Sequence, residues 1–156
     1  LVFDGGNGEV TGIHLPTSLG YLLKEAASAL RFAMEEALRP LNMTITRYSC
    51  LELLAQRAGL SNSDLARGAF VTRQSMNVLL QQLEREGLVV RASEAPVGKA
   101  LPTDLTLAGR DLLAQATAAV RAVEKRMLSG MSADDQQVAF HLLQGMVRSL
   151  RADTGT

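Results

Sequence analysis

Residues 61–91 read SNSDLARGAFVTRQSMNVLLQQLEREGLVVR, and this stretch decides the fold. Ser61 can cap a helix, and the aspartate three residues later complements the positive end of that helix. Gly68 and the residues after it predict a tight turn. Thr72 can cap a second helix, which is expected to end at Gly87. The stretch therefore predicts two short helices joined by a tight turn.

A β-hairpin is predicted after the second helix. Residues 88–91 and 100–105 are short and prone to form strands, and the loop between them contains Pro96 and Gly98. Before the two short helices, Thr46 is expected to cap another helix that runs to Gly59. The order of helices followed by a hairpin presents one helix to the major groove of DNA.

Longer amphipathic segments flank this region. Residues 17–38 carry apolar side chains at three- and four-residue steps until Pro40 ends the run. Residues 106–128 and 132–151 repeat the pattern. We expect these segments to form a homodimer, because their apolar seams are too extensive for one small winged core to cover.

The predicted fold class is mainly α with a small β-hairpin wing. Residues 46–105 are assigned to a winged helix-turn-helix DNA-binding domain, and residues 17–45 and 106–152 to a helical dimerisation region. Residues 1–16, which contain several glycines without a steady period, are expected to form a flexible arm.

The second short helix carries a polar stripe suited to DNA. Arg73, Asn77 and Gln81 lie four residues apart on one face, with Gln74 beside them. Arginine can pair bidentately with guanine, and asparagine or glutamine with adenine. Thr72 and Ser75 lie near the helix N-terminus, where they can donate to a phosphate. The predicted contacts on this helix are Thr72, Arg73, Gln74, Ser75, Asn77 and Gln81.

Composition by itself does not indicate nucleic-acid binding. The chain has 16 basic and 16 acidic residues, so positive charge must be segregated onto one face. An aromatic content of 4% argues against stacking of unpaired bases on aromatic side chains. An ordinary solvated helix face is the alternative interpretation of the polar stripe, and the accompanying turn and hairpin favour DNA.

The order of residues in this region resembles that of the MarR family of bacterial transcriptional regulators. The segments FVTRQSMNVL (70–79) and LEREGLVVR (83–91) are similar to the family's recognition helix and first wing strand. GKA (98–100) and LTLAGR (105–110) are similar to its wing tip and the entry to its fifth helix. The resemblance extends over about residues 17–151.

This resemblance implies a triangular dimer whose terminal helices pair between subunits. Each winged module then reads half of a near-palindromic operator, and Arg91 and Lys99 join the DNA-contacting set. The family's wing usually carries an aspartate and an arginine, whose places are taken here by Val97 and Lys99. Lys99 can still contact a phosphate, whereas the acidic anchor of the wing is missing.

The resemblance also implies a small aromatic effector between the dimer helices and the winged module. The residues that this indicates are Met34, Arg47, Tyr48 and Cys50. Cys50, the single cysteine, lies on the predicted inner face of its helix and is interpreted as a core thiol. A redox-sensing thiol is the alternative.

Other classes of function lack a supporting motif. His14 and His141 are far apart in sequence, so no metal site is expected. The sequence has no glycine-rich phosphate loop and no Ser-His-Asp spacing typical of an enzyme, and no cofactor is predicted. Because no run reaches about 18 apolar residues and no signal peptide pattern is present, we expect a cytoplasmic protein that does not bind membranes.

The sequence therefore predicts a sequence-specific, double-stranded DNA-binding transcriptional regulator. We expect a homodimeric repressor, with release by a small-molecule effector as an option that the family offers. The alternatives are a winged-helix module that binds a protein partner, and a ligand or redox sensor that does not bind operator DNA.

Overall fold

The computed structural model describes residues 12–92 and 102–152, which are mostly helical with a single antiparallel hairpin. The elements are α1 (Leu19–Leu38), α2 (Ile45–Gln56), α3 (Asn62–Gly68), α4 (Arg73–Arg85), β1 (Val89–Arg91), β2 (Thr103–Leu105), α5 (Leu107–Met127) and α6 (Ala133–Ala152). Short 3-10 turns precede and follow α1, at Leu15–Thr17 and Arg39–Leu41. The predicted fold class is confirmed.

Side-chain caps fix where the helices begin. Ser61 and Asp64 form a reciprocal capping box at α3, and the Thr72 hydroxyl accepts the Ser75 N–H at 3.1 Å at α4, as predicted. Ser132 and Asp135 make the same kind of cap at α6. These hydrogen bonds satisfy N–H groups that have no partner within the helix.

The predicted cap of α2 at Thr46 is wrong. Thr44 is the cap, because its backbone is extended and its hydroxyl accepts the Arg47 N–H at 3.1 Å. The helix also ends earlier than predicted, at Gln56, and Gly59 lies beyond it with a φ of +75°. Gly59 therefore shapes the connection to α3 instead of terminating α2.

One buried cluster holds α4 in place. The buried face of α4 consists of Met76, Leu79, Leu80 and Leu83. It packs with side chains from α1, α2 and α3 that are fully or almost fully buried, including Leu38, Leu51, Leu54 and Leu65. Because protein interiors are close-packed, the opposite face of α4 is held in a fixed orientation.

The hairpin follows α4 almost immediately. Gly87 has a φ of +73°, which returns the chain so that the Leu88 N–H bonds the Leu83 carbonyl at 2.9 Å. Strand β1 therefore starts at Val89, one residue later than predicted, and Val89 pairs with Leu105. The predicted second strand began at residue 100, which lies outside the described residues, and β2 begins at Thr103.

The chain divides into two compact units within α5, after Val120. In the second unit, α6 buries none of its residues and exposes Val138, Phe140, Leu142, Leu143, Val147 and Leu150. In the first unit, α1 also exposes apolar side chains, among them Leu19, Leu22 and Phe32. The predicted dimerisation region stays a prediction, as does the N-terminal arm, most of which lies outside the described residues.

None of the helices in the described ranges combines the length and the apolar character that crossing a bilayer requires.

Candidate nucleic-acid interface

The exposed face of α4 carries the polar stripe that the sequence predicted. Arg73, Gln74, Asn77 and Gln81 are all exposed, and they lie on the part of the helix surface that its buried residues leave free. The structure thus brings these four side chains together on one rigid element. Their donor and acceptor groups match those presented by base edges in a major groove.

The start of α4 is anchored by hydrogen bonds that leave one hydroxyl proton available. The Thr72 hydroxyl donates to Ser75 Oγ at 2.9 Å, so its proton is engaged within the helix cap. The Ser75 hydroxyl remains able to donate outward. On the other side, the Asn62 amide donates to the Arg73 carbonyl at 3.0 Å and ties α3 to α4. Ser75 is therefore better placed than Thr72 to bind a phosphate.

Val78 is a residue that the sequence interpretation missed. It lies on α4 at helical spacing from Gln74 and Gln81, and 49% of its surface is exposed. An exposed apolar side chain among amides can contact the methyl group of thymine. Its distance of four residues from Gln74, on a face with no other large apolar side chain, is the signal that could have identified it.

The two predicted wing contacts, Arg91 and Lys99, both stay predictions, for different reasons. Lys99 lies outside the described residues, so its role stays a prediction. Arg91 does not join the exposed stripe, because its side chain is only 18% exposed and its Nε lies 3.9 Å from Glu84 Oε2. Within the described part of the chain, Arg91 Nε and Nη2 are buried without a hydrogen-bond partner. A DNA contact by Arg91 also stays a prediction, and one that requires its side chain to turn outward.

Arg47 forms an ion pair that reaches the end of α4. Its guanidinium donates to both carboxylate oxygens of Glu86, the residue that caps the C-terminus of α4, with Nη1 at 3.1 Å from Oε1. The Arg47 side chain is only 15% exposed. Hydrogen bonding from Arg47 lowers the pKa of Glu86 below its ordinary value. The pair connects α2 to the end of α4.

Cys50 is fully buried in the core cluster. Burial raises the pKa of its thiol to about 12, and the nearby positive charge of Arg91 offsets only part of this effect. A thiol that remains protonated at neutral pH is a poor nucleophile. This supports its interpretation as a core residue.

A cavity of about 680 Å³ lies between the end of α1 and the start of α2. Its lining comprises Ala27, Leu30, Arg31, Met34, Glu35, Arg39, Asn42, Met43, Thr44, Ile45 and Thr46. Of the four predicted effector residues, only Met34 contributes to it. Arg47 is instead paired with Glu86, Cys50 is in the core, and Tyr48 packs partly buried against the core cluster. The size of the cavity is typical of sites for small organic ligands.

Metal ligands are not clustered in the described ranges, where no group of three or more His, Cys, Asp or Glu side chains is placed to hold an ion.

A short helix, a tight turn, an exposed polar helix on a fixed core and a hairpin behind it define a winged helix-turn-helix protein. The chain is also similar to known proteins of this class. A sequence model described as the MarR family matches residues 41–100. The HTH-type transcriptional repressor Rv2887 of Mycobacterium tuberculosis is 41% identical over 126 residues, which cover 81% of this chain and 91% of the repressor. The chain belongs to the MarR family.

Solved structures of the mycobacterial protein agree with this assignment. The crystal structure of Rv2887 in complex with DNA matches with a TM-score of 0.69 and 38% identity, covering 83% of this chain and 98% of that one. The structure of Rv2887 with salicylic acid matches with a TM-score of 0.68 and 40% identity, covering 83% and 96%. The family consists of transcriptional regulators, as the names of these relatives state.

Proposed function

We propose that this chain is a transcriptional repressor that binds near-palindromic duplex DNA as a homodimer and places α4 of each subunit in a major groove. The observation that carries this proposal is the exposed stripe of Arg73, Gln74, Asn77 and Gln81 on a helix whose other face is fixed in the core. The relative Rv2887 is a repressor whose structure is known in complex with DNA. Two-fold symmetry would place the half-sites about one helical turn, roughly 10 bp, apart.

The side chains of the interface divide into two groups by chemistry. At the start of α4, Ser75 positions the protein on the phosphate backbone, and Thr72 can join it only if its hydroxyl gives up the hydrogen bond to Ser75. Lys99, which the sequence assigns to the wing, is the third proposed phosphate contact. Arg73 and Asn77 carry base discrimination, since each can form a bidentate pair with one purine. Gln74 and Gln81 extend the same face.

The test is a comparison of variants on duplexes selected by the wild-type protein from a random library. Arg73→Ala is expected to lose about 1–3 kcal/mol of binding free energy and to relax the preference at one operator position. Lys99→Ala is expected to weaken all duplexes about equally and to reduce the salt slope by about one phosphate contact. Gln82→Ala, which removes an exposed amide further round α4, is the matched control and should bind like wild type.

Three outcomes would contradict the proposal. If the wild-type protein selects no duplex at either of two salt concentrations, the winged fold serves a protein partner instead. If Arg73→Ala and Lys99→Ala lose affinity in the same manner, the division between base and phosphate contacts is wrong. If Gln82→Ala matches Arg73→Ala, the stripe does not define the interface.

Dimerisation is proposed to use residues 17–45 and 106–152, leaving residues 46–105 for DNA. No residue of α6 is buried and most of its apolar side chains are exposed, and such surface is expected to pack against a second subunit. Leu142→Asp or Met146→Asp should shift sedimentation toward the monomer and weaken operator binding in parallel. A wild-type chain that sediments as a monomer would contradict this assignment.

We propose the cavity between α1 and α2 as the effector site. It contains apolar side chains such as Met34 and Leu30 together with two exposed arginines, Arg31 and Arg39, which pair with Glu35 and Glu36. A small aromatic carboxylic acid suits this lining if its carboxylate replaces one of these exposed glutamate partners. The relative Rv2887 is known in complex with salicylic acid. Salicylate serves as the probe here: it should lower DNA affinity, and DNA should lower salicylate affinity by the same factor, because binding linkage is reciprocal.

Met34→Ala and Arg39→Ala should weaken the response to salicylate while leaving DNA binding in its absence unchanged. If salicylate and other aromatic acids leave DNA affinity unaltered, the cavity is not an effector site.

A protein of this class is proposed to work in the cytoplasm, where the chromosome is, and without enzymatic activity.

A further inference from the structure

Phe70 has a backbone conformation that aromatic residues rarely adopt. It lies in the turn between α3 and α4 with a φ of +57°, in the left-handed region. The Val71 N–H bonds the Ala66 carbonyl at 3.0 Å, and the Phe70 N–H bonds the Arg67 carbonyl at 3.4 Å. This pair of bonds is the Schellman motif at the end of a helix, in which glycine usually takes the left-handed position. Phe70 is therefore strained at a position where glycine could form the same turn without strain.

The side chain of Phe70 contributes little packing to the folded chain. Phe70 is 84% exposed, and it lies outside the buried cluster of the described residues. The next residue, Val71, packs against that cluster and fills the apolar position that normally accompanies the motif. Strain held by a residue without internal compensation is typical of a functional contact.

The location of Phe70 indicates what covers the ring. It stands two residues before Thr72, the cap of the helix that carries the DNA-contacting stripe. A recognition helix enters the major groove by its N-terminal residues, so the turn before it borders the sugar-phosphate backbone. The deoxyribose units there present C–H surface, which an aromatic ring can cover.

We propose that Phe70 is a DNA-contacting residue whose ring packs against the deoxyribose backbone at the edge of the groove that holds α4. This inference rests on the proposed DNA-binding function and adds to it an apolar, sequence-independent contact from the turn. Such a contact strengthens binding to every duplex and is insensitive to salt, unlike a phosphate contact.

The experiment compares Phe70→Gly and Phe70→Tyr in the full chain. Phe70→Gly removes the ring and relieves the left-handed strain, so it should raise the melting temperature while weakening binding about tenfold. The loss should be similar on a selected operator and on a 30-bp duplex of unrelated sequence, with an unchanged salt slope. Phe70→Tyr keeps the ring and should bind within about twofold of wild type.

Each other result overturns the inference. Undiminished DNA binding by Phe70→Gly shows that the ring does not touch DNA, and a lower melting temperature shows that it serves the fold. Weaker binding that accompanies dissociation of the dimer in sedimentation assigns the ring to a protein contact. Failure of the wild-type protein to bind any duplex would refute the proposed function itself, and so is distinguishable from failure of this contact.

Discussion

Replacing Gly109 with alanine should disrupt the junction between the hairpin and α5. A Cβ on Gly109 would overlap the carbonyl oxygen of Leu88 and lie 3.1 Å from its carbonyl carbon. Neither backbone segment can yield easily, because the Thr106 N–H bonds the Leu88 carbonyl at 3.1 Å and the Thr106 hydroxyl bonds the Gly87 carbonyl at 2.6 Å. The obstacle is therefore main chain, with no flexible side chain to move aside.

The expected magnitude follows from three contributions. Alanine in a helix gains about 1 kcal/mol over glycine. Losing the Thr106 hydrogen bond costs about 1 kcal/mol, and forcing packed backbones apart costs about 1–3 kcal/mol. We expect Gly109→Ala to lower the free energy of unfolding by about 1–3 kcal/mol and to weaken DNA binding with it, since the hairpin loses its support.

Urea denaturation followed by circular dichroism measures this change, at one fixed protein concentration because dimerisation contributes to stability. Gly20→Ala is the matched control. Gly20 lies in the first turn of α1, and the nearest atom to an added Cβ is Ser18 Oγ at 3.9 Å. The control should be neutral or up to about 1 kcal/mol more stable. If Gly109→Ala is as stable as wild type, the close approach to Leu88 does not constrain the fold.

Three other measurements test particular side chains. Cys50 is fully buried, and burial raises the pKa of its thiol to about 12, so thiol reagents should label the protein only in urea; rapid labelling of the folded protein would revive the redox alternative. Glu86→Gln should lower the free energy of unfolding by about 1 kcal/mol at pH 7. Because Arg47 lowers the pKa of Glu86, the wild-type advantage should be complete above the ordinary glutamate pKa and should be lost as the pH falls through the lower pKa of Glu86 in the folded chain. A difference that is independent of pH would contradict the ion pair. Val78→Ala should reduce the preference for thymine over deoxyuridine at one operator position, and an equal preference in both proteins would exclude contact with the methyl group.

The parts of the fold that the sequence predicted well are those governed by local chemistry. The capping box at Ser61, the cap at Thr72 and the left-handed glycine at Gly87 each depend on residues within a few positions of one another. The wrong choice of Thr46 as the cap of α2 also concerns residues within a few positions of one another. Thr44 and Thr46 are both competent caps, and the choice between them depends on how the preceding 3-10 turn leads into α2.

Contacts between distant residues could not be predicted in this way. Arg47 and Glu86 are 39 positions apart, and only the packing of α2 against the end of α4 brings them together. The side-chain direction of Arg91 could not be predicted for the same reason. Its place in strand β1 is predictable, but the direction of its side chain depends on Glu84 and the surrounding core.

The polar stripe was predictable because helical spacing alone places its residues on one face, and the same spacing places Val78 beside Gln74 and Gln81. An apolar residue in an amphipathic helix is ordinarily assigned to the core, and the 49% exposure of Val78 shows that it lies among the amides instead. Phe70 could not be identified from spacing, because an aromatic side chain in a turn does not by itself indicate a left-handed backbone. Exposure and strain together distinguish a residue that serves the fold from one that serves a partner, and neither quantity is encoded in the residue type.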